Sequence, residues 1–281
     1  MKTFSVTKNI KLSRFLLDSY NGGLSYTAFC RLLRKKDIKV NGKRVSSDVS
    51  LNCGDEVVVY FDGEEKRYFT EVFKDDNVLI VDKFKGVTSE ELYEKLKSVY
   101  GEVYFCHRLD RNTDGLMAFA LNVDAYDSIR SGLKSRRFDK IYRALVFGTF
   151  ENDAGVERAY LKKDAQNSLV KVTADKKGED ALEIVTEYRV ISTQDGNSEL
   201  AIKLHTGRTH QIRAHLAYLG HFVLGDGKYG EEKINRRLGF NMMQLSSAAL
   251  KLNFSSGDKL FYLDGKKFVK SGFEYVCDFF D

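Results

Sequence analysis

Three polar segments of the chain carry side chains whose types and spacing suit chemistry on a substrate. The first begins at His107 and reads His-Arg-Leu-Asp-Arg-Asn-Thr-Asp-Gly. Its last four residues, 112–115, are turn formers, so Asp110 is expected at the mouth of a loop held by a sheet. If Arg108 and Asp110 are locally extended, their side chains share one face, because strand side chains alternate. A neighbouring cation keeps a carboxylate ionised, as a nucleophile or base requires, although an ordinary loop ion pair is the alternative.

The second segment runs from Lys140 to Gly148 and alternates in the manner of a strand, with Tyr142, Ala144 and Val146 on one face. A tyrosine in such a strand is usually a core aromatic whose hydroxyl is hydrogen bonded. If its face opens on a cleft, the ring can instead stack on a base, or its oxygen can take part in proton transfer. Both interpretations stay open at this point.

The third segment contains Gly207, which turns the chain from a strand into a helix and gathers polar groups at the helix N-terminus. Free N–H groups and the helix dipole make such an end a natural seat for an anion. His210 and His215 are five residues apart, which is a poor spacing for a zinc pair on one helical face, so no metal site is predicted. Arg213 lies one turn into the helix, where it can pair with Asp110.

The elements around these segments alternate without a regular repeat. Thr88-x-x-Glu91 is a capping box for a helix that Gly101 ends. Asp195-Gly196-Asn197 lies between two alternating runs and predicts an antiparallel hairpin. Hairpins among helices predict an α+β domain with a mainly antiparallel mixed sheet flanked by helices. The predicted strands are 78–82, 116–121, 141–147, 182–191, 199–205 and 222–224, and the predicted helices are 89–100, 124–136 and 209–219.

Residues 1–62 are predicted to form a separate small α/β domain, with 63–70 as a linker and 71–281 as the second domain. A first helix contains Leu12 and Leu16, and a second begins after Ser25, a suitable N-cap. Asn41-Gly42 between two short alternating runs is typical of a two-residue hairpin, and residues 56–61 are expected to form a strand.

Positive charge is concentrated in this first domain. The whole chain carries a net charge of +5, whereas the 14 residues from Arg31 to Arg44 carry seven cations and one acid, or +6. Such an uneven charge predicts a polyanionic partner. The cations expected to contact it are Arg31, Arg34, Lys35, Lys36, Lys39, Lys43 and Arg44.

Composition argues against several other classes of protein. No apolar run approaches the ~18 residues that a membrane span needs, and residues 1–9 lack an apolar signal core. The four cysteines form no Cys-x-x-Cys pair, which predicts free thiols in a reducing cytosol. The chain also lacks a Gly-x-Gly-x-x-Gly or Walker loop. We therefore expect a cytoplasmic protein that uses no cofactor and no metal and does not associate with a membrane.

Taken together, the three segments resemble the RluA-type RNA pseudouridine synthase family. His-Arg-Leu-Asp-x-x-Thr-x-Gly, Lys-x-Tyr-x-Ala-Leu-Val-x-Gly and Thr-Gly-Arg-Thr-His-Gln-Ile-Arg-x-His, followed by Gly-Asp-x-x-Tyr-Gly at 225–230, match that family in order and spacing. The resemblance covers residues 78–252. The first domain is similar to the small basic RNA-binding domain of ribosomal small-subunit protein four. The resemblance implies the pseudouridine synthase fold and a cofactor-free isomerisation of uridine in structured RNA.

The resemblance also implies roles for individual residues. Asp110 would be the catalytic aspartate and Arg213 its basic partner. Tyr142 would stack on the target base and could act in deprotonation. Arg108 would help to hold the RNA with the target nucleotide flipped out. Further RNA-binding residues would be Arg111, Thr113, Arg208, His210 and Gln211.

A basic RNA-binding domain joined to this catalytic type resembles enzymes that act on large-subunit ribosomal RNA, with transfer RNA as the alternative substrate. A monomer is expected. Two other functions stay open: a non-catalytic RNA-binding factor in ribosome assembly, and a carboxylate-based hydrolase of a glycosidic or phosphate bond.

Three positions depart from the residues that the family commonly has. Asp114 stands in place of a serine, and Phe84 and Phe222 stand in place of prolines. Asp114 is expected to place a second negative charge near Asp110, which would repel a phosphate.

Overall fold

The computed structural model describes residues 1–20, 24–61, 67–164 and 169–279, which form two compact units, Met1–Arg67 and Tyr68–Asp281. Residues 63–66 of the predicted linker lie outside the described residues. In the described ranges no helix is long and apolar enough to cross a membrane, and no disulfide joins the cysteines.

The N-terminal unit contains helices α1 (Leu12–Ser19) and α2 (Tyr26–Lys35) and two small sheets. Ser25 caps α2 as predicted, because its side chain accepts a hydrogen bond from the backbone N–H of Ala28 at 3.1 Å. The expected hairpin is also present, with Asn41 and Gly42 both at positive φ. The strands are β1 (Lys2–Ser5), β2 (Ile10–Lys11), β3 (Ile38–Val40), β4 (Lys43–Arg44), β5 (Ser50–Leu51) and β6 (Glu56–Val59).

The larger unit is built on one mixed sheet, whose strands pair in the order β13-β12-β14-β15-β11-β16-β10-β8-β7, with β9 on β10 and β17 on β16. All of its strand pairs are antiparallel except β10 with β16. The strands are β7 (Phe69–Lys74), β8 (Val78–Lys83), β9 (Tyr104–Phe105), β10 (Asp114–Ala120), β11 (Asp139–Phe147), β12 (Ala154–Asp164), β13 (Leu169–Thr173), β14 (Leu182–Gln194), β15 (Asn197–Leu204), β16 (Leu245–Lys251) and β17 (Lys267–Val269).

Both faces of this sheet are covered. Leu79 and Val81 of β8 pack with helix α3 (Ser89–Tyr100) in one apolar cluster, whereas Val78 and Ile80 pack with α4 (Val123–Lys134) in another. This explains why β8 is a continuous apolar run rather than an alternating one. Two further helices, α5 (Gln211–Tyr218) and α6 (Glu232–Leu238), follow β15.

Several predictions about local structure are confirmed. Helix α3 has the predicted capping box and ends at Gly101. Strands β14 and β15 form the expected antiparallel hairpin around Asp195 and Gly196. The strand predicted at 222–224 is wrong: only Val223 forms an isolated bridge, with Val146, because the chain turns there between α5 and the Gly225 turn. The strands and α-helix of the larger unit that were not predicted are β7, β9, β12, β13, β16, β17 and α6.

Gly115 is required where β10 runs parallel to β16. Its φ is +112°, and a Cβ at this position would lie 2.2 Å from the backbone oxygen of Ser247. The two backbones therefore approach as closely as only glycine permits. This contact holds the start of β10, directly after the Asp110 loop, against β16.

We predict that Gly115→Ala lowers the free energy of unfolding by at least about 2 kcal/mol, through backbone strain and displacement of β16. Urea denaturation followed by circular dichroism measures this. Gly257→Ala is the matched control, because a Cβ there meets nothing within 4 Å. Equal stability of the two variants would contradict the close approach.

Candidate active site

The three polar segments meet at one cavity of about 160 Å³ in the larger unit. Asp110 comes from the loop between β9 and β10, Tyr142 from β11, and Arg213 from α5. Other side chains around the cavity are those of Arg108, Leu109, Thr113, Leu204, Arg208, Thr209, His210, Gln211, Ile212 and Leu245.

Backbone contacts on both sides fix the position of Asp110. The buried hydroxyl of Ser89, at the start of α3, accepts a hydrogen bond from the Leu109 N–H at 3.0 Å and donates to the Leu109 carbonyl at 2.8 Å. On the other side, the Thr113 N–H donates to the Asp110 carbonyl at 3.1 Å. The carboxylate therefore projects from a loop that is anchored at each end.

The Arg213 guanidinium is shared between two carboxylates. Its Nη1 donates to Asp110 Oδ2 at 2.7 Å, so the ion pair expected from the sequence is present. Its Nε and Nη2 donate to the two oxygens of Asp226, at 2.7 and 2.9 Å. This two-bond contact fixes the plane of the guanidinium and aims its remaining edge at Asp110.

Arg213 and Asp226 keep their charges although they are only 7% and 1% exposed. Burial opposes the charged form of Arg213, but hydrogen bonds with Asp226 and Asp110 outweigh burial, and the net effect raises the pKa of Arg213. Burial opposes the charge of Asp226 as well, yet the hydrogen bonds from Arg213 and from the backbone N–H groups of Lys228 and Tyr229 lower its pKa. A fixed positive charge therefore lies beside Asp110.

Tyr142 is buried on β11 and faces the cavity. Burial raises the pKa of its hydroxyl strongly, and the negative charge of Asp110 adds to that shift. Within the described ranges no group of the protein hydrogen bonds to this hydroxyl. The residue is therefore a neutral phenol whose oxygen is left for a bound molecule, which differs from an ordinary core tyrosine.

His210 and Tyr229 form the wall of the cavity beside Arg213. His210 Nδ1 lies 2.9 Å from the Tyr229 oxygen, and His210 Nε2 lies 3.8 Å from Asp110 Oδ2. The Tyr229 ring packs against the guanidinium, with 5.1 Å between its centroid and Arg213 Cζ. Burial lowers the pKa of His210 even though Asp110 favours its charged form. His210 is thus a neutral side chain at neutral pH.

Some residues expected at the site are engaged elsewhere. The cation beside Asp110 is Arg213 and not Arg108, which lines the cavity but pairs with Glu90 at 3.4 Å. Arg111 donates to the Gly86 carbonyl at 3.1 Å and is not among the residues around the cavity. Gln211 is buried, and its amide makes four hydrogen bonds within the fold, so no group of its side chain is left to bind RNA.

The expectation for Asp114 needs correction, because its negative charge is compensated. Lys85 Nζ lies 3.5 Å and Lys270 Nζ 3.3 Å from its two carboxylate oxygens. The Ser246 hydroxyl donates to it at 2.6 Å. The Asp114 carboxylate is therefore paired within the fold, and it is not an uncompensated negative charge that would repel a phosphate.

The two phenylalanines at family proline positions are accommodated by the fold. The Phe84 N–H donates to the Tyr68 carbonyl at 3.0 Å, a hydrogen bond that proline cannot make. The Phe222 ring stacks on Phe147 with 5.1 Å between the centroids. Each substitution therefore gains a contact that a proline would lack.

The cations predicted to bind RNA in the N-terminal unit lie at its surface. Lys39 and Arg44 lie over the ring of Tyr60, at 5.3 and 5.5 Å from its centroid. The part-exposed Tyr60 thus adds an aromatic face to the basic surface, which the sequence did not indicate. The exposed cations of the predicted set are Arg31, Arg34, Lys35, Lys36, Lys43 and Arg44.

Comparisons with known proteins agree with this geometry. Residues 66–218 match the RNA pseudouridylate synthase family. Ribosomal large subunit pseudouridine synthase C of Escherichia coli (strain K12) is 30% identical over 262 residues, with 82% of this chain and 81% of that protein covered. The protein of the same name from Vibrio parahaemolyticus is 27% identical over 258 residues, with 82% and 80% covered. The solved structure of human RNA pseudouridylate synthase domain containing 1 has a TM-score of 0.62 at 26% identity, covering 70% of this chain and 83% of that one.

The chain belongs to the RNA pseudouridylate synthase family, and its α+β fold is that of these enzymes. Its three motifs identify it as an RluA-type member. It is therefore an isomerase that converts uridine in RNA into pseudouridine. The two alternative functions, a non-catalytic assembly factor and a hydrolase, are not favoured by these similarities.

No role was predicted from the sequence for Asp226, Tyr229 or Ser89, although the motif Gly-Asp-x-x-Tyr-Gly at 225–230 contains the first two. We predict that Asp226→Ala lowers the free energy of unfolding by about 3 kcal/mol or more, because Arg213 would keep a buried charge with half of its partners removed. Urea denaturation measures the loss. Asp127→Ala, at an exposed position of α4, is the control and should change stability by less than about 0.5 kcal/mol. Equal free energies of unfolding for the two variants would show that the buried pair of Arg213 and Asp226 is not required for stability.

Proposed function

We propose that Asp110 is the catalytic carboxylate of this synthase and that the target uridine enters the cavity between Asp110 and Tyr142. The observation that carries the proposal is the contact of Asp110 with Arg213, which Asp226 fixes from behind at 2.7 and 2.9 Å. The guanidinium lies 2.7 Å from the Asp110 carboxylate, which lines the cavity and is thus within reach of a bound nucleotide.

The reaction breaks the bond between N1 of uracil and C1′ of ribose and forms a bond between C5 and C1′. C5 loses its proton and N1 gains one, so the mass of the nucleoside does not change. Ionised Asp110 has two routes to assist it: attack on C1′, or removal of the 2′ proton of the ribose. Tyr142 supplies a flat ring for the base and a protonated hydroxyl for hydrogen bonding or proton transfer. The neutral imidazole of His210 and the guanidinium of Arg213 complete the wall.

A uridine inside a duplex does not reach such a cavity, so the enzyme must flip its target at a cost of a few kcal/mol. Contacts to the base and to the phosphates offset this cost. Arg108 and Arg208 are exposed at the cavity and are suited to phosphate contacts, and Thr113 and His210 line it. The basic surface of the N-terminal unit, together with Tyr60, is proposed to bind RNA as well.

We propose large-subunit ribosomal RNA as the substrate, with transfer RNA as the alternative. The support comes from the relatives from Escherichia coli and Vibrio parahaemolyticus, whose names give the large ribosomal subunit as their target, and from the basic N-terminal unit. We further propose a cytoplasmic location, which the absence of disulfides in the described part of the chain supports.

The experiment uses unmodified, in-vitro-transcribed large-subunit ribosomal RNA and transfer RNA, incubated with the protein and no added cofactor. Digestion to nucleosides and chromatography then separate pseudouridine from uridine, which have the same mass. We expect pseudouridine from the native chain and from the exposed-surface control Asp127→Asn, and none from Asp110→Asn, because an amide cannot replace the ionised carboxylate.

Each contrary result has a distinct meaning. Pseudouridine formed at the native rate by Asp110→Asn would assign the chemistry to another residue. Pseudouridine formed in transfer RNA alone would overturn the proposed substrate and leave the proposed carboxylate standing.

A further inference from the structure

A basic groove of about 560 Å³ adjoins the cavity that holds Asp110. The groove and the cavity share Arg108, Tyr142, Leu204, Gly207 and Arg208, so Tyr142 lies where one opens into the other. None of the described residues that line the groove is acidic. The groove is therefore a continuation of the site. Its charged lining residues are cations, of which Arg108 pairs with Glu90 at 3.4 Å, and its His205 lies 2.7 Å from Glu187.

Four cations of the groove have no acidic partner in the part of the chain that the structure describes. They come from separate elements: Lys134 ends α4, Arg136 follows it, Lys140 lies on β11, and Arg208 precedes α5.

Asp139, the acid next to Lys140 in sequence, and Asp258, the partner of the neighbouring Arg137, are both paired with residues outside this set of four. Asp139 contacts Lys203 at 2.9 Å, and Asp258 contacts Arg137 at 2.8 Å. The fold thus pairs the cations on either side, and Arg108 and His205 of the groove contact Glu90 and Glu187. The four cations named above are left without an acidic partner among the described residues. Side chains of like charge gathered in one groove repel each other unless an anion is bound between them.

Lys140 is the most buried of the four, and its neighbours offer no negative charge. Burial lowers the pKa of its ammonium to about 8 and raises that of the adjacent Cys106 thiol to about 12, so the thiol stays neutral. His107 is neutral too, because its Nε2 accepts a hydrogen bond from the Ala118 N–H at 3.0 Å. A half-buried ammonium without a partner is stabilised when an anion reaches it.

We propose that this groove binds the phosphodiester backbone of the nucleotides next to the target uridine, with Lys140 facing the phosphate nearest to Tyr142. A strand whose uridine occupies the cavity leaves it past Tyr142, and the groove begins there. Phosphates along a single strand are the repeating anion that such a row of cations matches. The inference rests on the proposed function, since it takes Asp110 and Tyr142 as the place of the target nucleotide.

The test measures RNA binding against salt concentration, using fragments of in-vitro-transcribed large-subunit ribosomal RNA. The first variant combines Lys134→Gln with Arg136→Gln at two exposed positions, where the fold tolerates the change, and the second is Lys140→Gln. Loss of two phosphate contacts should reduce the slope of log affinity against log salt by about 1.4. We expect the dissociation constant at 0.15 M salt to rise at least about fivefold for the double variant.

Lys95→Gln is the control that removes one positive charge, as Lys140→Gln does, because Lys95 is exposed on α3 and does not line the groove. It should keep the native salt slope and the native rate. A native salt slope in both the double variant and Lys140→Gln, with circular dichroism showing folded protein, would overturn the groove proposal. Pseudouridine formation by the same native preparation separates the two proposals. If the native protein forms pseudouridine and the groove variants keep the native salt slope, only the groove proposal fails. If the groove variants have a reduced salt slope and the native protein forms no pseudouridine, only the proposed function fails.

Discussion

The site depends on one buried guanidinium that two carboxylates share. Arg213 makes two hydrogen bonds to Asp226 and one to Asp110, so its position is determined before any substrate arrives. A single charge pair in the interior gains little over an apolar pair, because desolvation offsets attraction. The arrangement is better understood as a device for holding Asp110 in place than as a source of stability.

The surrounding fold supports this ion-pair arrangement at each end. Asp226 is held by the turn at Gly225. A Cβ on Gly225 would lie 2.1 Å from the Met242 carbonyl oxygen, and the Gly225 backbone N–H donates to Asn235 Oδ1 at 2.8 Å. Asp110 is held by Ser89 of α3. Between them, β16 pairs parallel with β10 and antiparallel with β11, which brings the Asp110 loop next to Tyr142.

Features with local causes were predictable from the sequence. The capping box of α3, the Asn41-Gly42 turn and the β14–β15 hairpin depend on residues within a few positions of each other, and all are present. The contact between Arg213 and Asp110 spans 103 positions, and it was expected from the place of Arg213 one turn into the helix and from the resemblance to the RluA-type family.

What the sequence did not reveal depends on contacts between distant positions. Lys270 reaches Asp82 and Asp114 from near the C-terminus, so nothing near Asp114 in sequence indicates that its charge is compensated. Gln211 sits in a motif of polar residues, and only the fold shows that its amide is fully used. Asp226 appeared only as one letter of the motif at 225–230, because its contact with Arg213 depends on the direction in which α5 presents that arginine.

The most direct test of this coupling is a double-mutant cycle on the rate of pseudouridine formation. Single-turnover rates at saturating ribosomal RNA would be measured for the native chain, Arg213→Lys, Asp226→Asn and the double variant. If Asp226 acts through Arg213, each single variant slows the reaction, by about 100-fold for a displacement near 1 Å, and the double variant is no slower than the worse single one. Losses that add in free energy would show that Asp226 and Arg213 act independently, and would contradict the view that Asp226 positions the partner of Asp110.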